Sequence, residues 1–114
     1  MKRTHGYKKV DKRVARTLFD ALTGWRTGFP QSFDEVIHKA LAATRTIRMA
    51  ALSCREVIAV EHVAKLGLYA GINGVPGFRL TFPDWLNRRW RAVARRAYRT
   101  GYEYGTAKAS GNLA

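Results

Sequence analysis

Apolar residues recur at helical spacing along most of this 114-residue chain. Val14, Leu18 and Leu22 repeat every fourth position, which puts them on one face of a helix over residues 12–23. Asp11 stands before that run as a candidate cap, and Gly24 stands where a stop is expected. Residues 24–31 carry two glycines, Pro30, Trp25 and Phe29, and predict a loop. Ser32-Phe33-Asp34-Glu35 has the spacing of a capping box and opens a second helix. Phe33, Ile37, Ala40, Thr44, Ile47 and Ala51 continue it on one stripe. Ser53-Cys54-Arg55-Glu56 has the same spacing, with Ile58, Val63 and Leu66 facing inward after it. Residues 33–72 are therefore either one long bent helix or two shorter ones. Residues 67–77 hold four glycines, Asn73 and Pro76, and must contain turns. Phe78, Leu80 and Phe82 alternate with polar residues, as in a short strand or extended segment. A last helix is predicted from Pro83 to about Tyr104.

These periods specify an all-α protein, a compact bundle of three to four helices. The length suits one domain. Residues 10–105 form it, after a flexible basic arm at 1–9, where His5, Gly6 and Tyr7 break the periodicity. Residues 106–114 are small and polar and read as a frayed tail.

Charge changes the picture. Lys and Arg number 21 against 8 acids, a net charge of +13. So large an excess repels itself in a compact fold, and an anionic partner relieves it. The excess lies at the ends. Residues 1–16 balance at +6 and residues 83–114 at +5, around a middle segment at +2. In the last helix, Leu86, Trp90, Val93, Ala97, Gly101 and Tyr104 share an apolar arc. Arg88, Arg89, Arg91, Arg95, Arg96 and Arg99 occupy the opposite side, with no acid between Asp84 and Glu103. Like charges spaced i,i+4 destabilise a helix, and Arg91–Arg95 and Arg95–Arg99 are such pairs. Guanidinium forks match phosphate oxygens. The candidate nucleic-acid-binding residues are thus these six arginines, with Lys8, Lys9, Lys12, Arg13 and Arg16 from the other end. Tyr98 and Tyr102 border the arginine arc as candidates for stacking on unpaired bases.

Other chemistries find little purchase. Cys54 is the only cysteine, sits in an apolar helical pattern, and reads as a buried reduced thiol. His5, His38 and His62 are scattered, and Glu35–His38 is the sole E-x-x-H, so no metal site is expected. Asp20, Ser53, Cys54, Glu56, Glu61 and His62 have no catalytic spacing. Gly67, Gly71, Gly74 and Gly77 lack the Gly-Lys-Ser/Thr of a phosphate loop, and Gly67-x-x-x-Gly71 predicts close helix approach or a helix end. No catalytic residue and no cofactor is expected, and the protein reads as a non-enzyme. It has no apolar run of membrane-spanning length and no secretory signal, which points to the cytoplasm, the nucleoid or the ribosome.

Residues Gly67-Leu68-Tyr69-Ala70-Gly71-Ile72-Asn73-Gly74, followed by Phe82-Pro83 and Trp90, resemble ribosome modulation factor. The likeness covers under a third of the chain, and Phe82-Pro83-Asp84 stands where that family has Cys-Pro-Tyr. It implies a small helical protein with an RNA partner. Two functions follow from the sequence. One is a non-catalytic binder of DNA or RNA, with the middle helices as scaffold and candidate homodimer interface. The other is a phage-like effector or inhibitor that docks on an acidic surface of a host protein or complex, or a ribosome-associated modulator.

Overall fold

The computed structural model describes residues 3–24, 32–45, 55–75 and 79–111, with residues 3–10 described by backbone alone. They form helices α1 (Arg3–Thr23), α2 (Phe33–Ala42), α3 (Arg55–Ile72) and α4 (Arg88–Ala109), and no strand occurs among the described residues. The fold is the all-α bundle that the periodicity predicts. Val14, Leu18 and Leu22 are buried, as are Leu86, Trp90, Val93, Ala97 and Tyr104 of the last stripe. No helix among the described residues is long and apolar enough to cross a membrane.

Several boundaries differ from the sequence expectation. The first helix starts at Arg3 and not near residue 12, so its backbone takes in most of the segment expected to be an arm. One glycine inside a helix costs only about 1 kcal/mol, which Gly6 can bear beside good helix formers such as lysine and arginine. Asp11 consequently caps nothing: it lies inside α1 and is buried. At α2 the Ser32 Oγ accepts from the Glu35 amide at 3.2 Å, the cap that the Ser-x-x-Glu spacing implies. The helix closes at Ala43, so α2 and α3 are separate elements. Ser53 and Cys54, with Trp25 and Phe29, lie outside the described residues.

The last helix begins five residues later than expected. Pro83 belongs to a turn, its carbonyl accepting from the Leu86 amide at 3.0 Å. Asn87 is the cap, its side chain accepting from the Trp90 amide at 3.0 Å. An asparagine acceptor here satisfies an amide that the first turn leaves without a partner. At the other end α4 continues to Ala109, through part of the supposed tail, because Gly105 and Ala107 are buried against the bundle.

Glycines set how α4 packs. A Cβ on Gly67 would overlap the Tyr98 carbonyl, and one on Gly71 the Tyr102 carbonyl. From the other helix, Gly101 meets Ala64 and Gly105 meets Leu68 in the same way. Backbone lies on backbone, an approach that small residues alone permit. Both partner positions advance together, from Ala64 with Gly101 to Leu68 with Gly105, so α3 and α4 run parallel. Parallel neighbours need a returning connection. After α3, residues 79–87 lie back along it, with Leu80, Phe82 and Trp85 against Ile58, His62 and Leu66.

Candidate nucleic-acid interface

Helix α4 is the middle member of three parallel helices. On its other side, Asp11 of α1 meets Arg89 and Trp90, while the Thr100 hydroxyl donates to the Leu22 carbonyl at 3.0 Å. The first contact is an anchor. Trp90 is 1% exposed and its indole N–H donates to Asp11 Oδ1 at 2.6 Å. Arg89 Nη1 donates to Oδ2 at 2.7 Å. A carboxylate at 5% exposure is tolerated because both of its oxygens are hydrogen-bonded and a guanidinium balances its charge.

That anchor also aligns the basic ends of the sequence. Lys12, Arg16 and Phe19 of α1 line a shallow groove with Arg89, Ala92 and Val93 of α4, with a volume of about 250 Å³. Its floor is apolar and its rims carry three cations. Arg13 is exposed farther around α1. The side chains of Lys8 and Lys9 lie outside the described residues, although their backbone is helical.

The six arginines of α4 do not form one open, unpaired surface. Arg89 is taken by Asp11. Arg96 Nη2 lies 3.1 Å from Glu103 Oε1, and its Nε donates to Thr100 Oγ1 at 3.3 Å. Arg99 Nε lies 3.6 Å from Glu103 Oε2, with its side chain 73% exposed. Arg91 donates to the Pro83 carbonyl at 3.0 Å and also lies over the Phe82 ring, as Arg95 does. Arg88 has no hydrogen bond or ion pair among the described residues. Several of these candidate binding residues therefore have partners within the protein. Two carboxylates and one carbonyl hold four of them, because turns of α4 bring Glu103 back over Arg96 and Arg99 and folding brings Asp11 in from far along the chain. Arg88, Arg95 and Arg99 remain on the open stripe, the last in a surface ion pair of the kind worth about 0–1 kcal/mol.

The tyrosines also fall elsewhere than expected. Tyr98 is buried in the core. Tyr102 stacks on it with ring centroids 6.4 Å apart and donates its hydroxyl to the Val75 carbonyl at 3.0 Å. Tyr98 is closed off by the approach of α3 to α4, and Tyr102 is half-buried beside it with its hydroxyl engaged. Phe19, at 37% exposure, is the aromatic that the groove presents instead. Its place one residue after Leu18, out of step with the every-fourth repeat of Val14, Leu18 and Leu22, could have flagged it as an apolar residue off the buried face.

His38 is exposed, with Nδ1 3.0 Å from the Asp34 carbonyl. Among the described residues no three histidine, cysteine, aspartate or glutamate side chains gather as metal ligands would. No family model, curated protein or solved structure matches the chain.

Proposed function

We propose that the protein binds nucleic acid without chemistry of its own, holding phosphates with cations drawn from both ends of the chain. The observation that carries this reading is the meeting of Lys12 and Arg16 with Arg89 along one groove. Segments that are far apart in sequence and both basic would be driven apart by charge alone. Here a buried carboxylate and a shared apolar floor hold them together, and a polyanion laid along the groove would lower the remaining repulsion. Arg88, Arg95 and Arg99 extend the cationic strip along α4, and Phe19 supplies an aromatic face beside it.

Along the groove and the strip that continues it, six cations among the described residues stand open: Lys12, Arg13, Arg16, Arg88, Arg95 and Arg99. If all meet phosphates of a duplex, the log–log salt slope is roughly −5, and somewhat shallower for a single strand. The test is a binding titration at several salt concentrations against duplex DNA, structured RNA and single strands. Replacing Arg88, Arg95 and Arg99 together by Ala is expected to weaken binding and flatten the slope by about 3. Undiminished binding by that triple variant would overturn the assignment. Capture of one protein that persists after nuclease treatment, with no nucleic acid bound in the titration, would replace this reading with that of an acidic protein partner.

A further inference from the structure

The returning connection leaves a second groove, remote from the cationic strip in composition and larger. Ile58, His62 and Leu66 of α3 form one wall and Leu80, Phe82 and Trp85 the other, around about 550 Å³. Its lining includes Arg55 and Arg79 and not one carboxylate. Large apolar side chains stand open at its edge, Ile58 at 61% and Trp85 at 42% exposure. The Arg55 guanidinium lies 4.5 Å from the centre of the Trp85 ring. Exposed tryptophan beside arginine is the composition of residues that dominate protein–protein binding energy.

We infer that this groove takes an extended, apolar segment of a partner protein, flanked by aspartate or glutamate. Three features choose that occupant. The lining carries Arg79 and Arg55, the latter beside Glu56 at 3.7 Å, and no carboxylate of its own, which complements acidic flanks. Arg79–Phe82 is neither helix nor turn, and among the described residues its backbone groups make no hydrogen bond, so they are open to pairing with an extended chain. Leu80 and Phe82 are half-buried while Arg79 and Thr81 are exposed, the alternation that seats every second side chain of such a ligand against apolar surface. None of this depends on nucleic-acid binding.

Selection of random displayed peptides on the full-length protein, at salt high enough to screen surface charge, tests it. The expected peptides carry apolar residues beside Asp or Glu. Ile58→Asp is expected to weaken the selected peptide by at least about tenfold, or about 1.4 kcal/mol. Because Ile58 points largely to solvent, that variant keeps the core. Arg79→Glu, at another exposed position, is expected to shift the selected flanks from acidic to basic even if Ile58→Asp folds poorly. Replacing Arg88 and Arg99 by Ala, and leaving Arg95 in place over Phe82, should leave peptide affinity unchanged, which separates this groove from the phosphate strip. Three results would overturn the inference. The first is peptides that bind both groove variants as well as the parent. The second is no enrichment at all, as when the chain itself or a second copy fills the groove. The third is occupancy by dodecanoate, seen as shifts of groove resonances, without any peptide that competes.

Discussion

Asp11 is a single residue whose role depends wholly on what reaches it. Next to a helical run it has the look of a cap, yet it receives an indole N–H and a guanidinium from residues 78 and 79 positions away. Asp11→Ala leaves the buried Trp90 N–H without an acceptor, a loss of about 1–3 kcal/mol. Urea denaturation should show a lower midpoint at an unchanged slope. Trp90 was legible from its place on the apolar stripe. Its acceptor was not, since no local pattern encodes a contact across most of the chain. Phe19 makes a residue-scale prediction for function: Phe19→Ala should weaken single-strand binding by about 1–3 kcal/mol if a base stacks there, with little change for duplex. Tyr104 gives one for pH. Burial raises its phenol pKa above 10.0, and the Glu35 charge adds to the effect. Ionisation is then easier in the unfolded chain. The stability this group contributes is intact below the unfolded value and is lost as pH rises through the folded one. Denaturation midpoints should fall on raising the pH past 10, and Tyr104→Phe should reduce that fall.

At the scale of elements, the α3–α4 pair depends on four glycines. Alanine is the better helix former by about 1 kcal/mol, so local propensity alone predicts that Gly67→Ala or Gly101→Ala stabilises. The packing reverses the sign. Each new methyl would enter the backbone of the opposite helix, which cannot step aside as a side-chain tip can. Overpacking of this kind costs about 1–3 kcal/mol or more, and thermal melts of either variant should fall below the parent. The Gly67-x-x-x-Gly71 spacing pointed to close approach. It could not name the partner, because Gly101 and Gly105 sit in a helix whose most visible feature is its arginines. Helix boundaries were legible where a side-chain cap decides them locally, as at Ser32. They were missed where tertiary contacts extend a helix, as from Tyr104 to Ala109.

Across the whole molecule, α1 and α3 both lie parallel to α4. Their starts point the same way and add positive dipole ends to a chain already rich in cations. Asp11 is level with the first turn of α4, so the two turns of α1 before it project beyond α4 by roughly 12 Å. A polyanion following the groove would therefore meet the basic beginning of α1 as well. Deleting residues 1–9 should lower both affinity and slope magnitude, as measured by titrating the truncated chain against the same probes; an unchanged slope would show that those cations meet no phosphate.

The sequence by itself determined the helical class, the buried stripes and the two concentrations of positive charge, because periodicity and charge are properties of residues taken a few turns at a time. Only the tertiary structure decided which arginines remain open, which aromatic is presented and where a groove forms. Those outcomes hang on side-chain contacts and packing: a carboxylate from α1 that takes Arg89, a glutamate two turns on that reaches back to Arg96, and glycines that draw two helices together with Tyr98 buried between them.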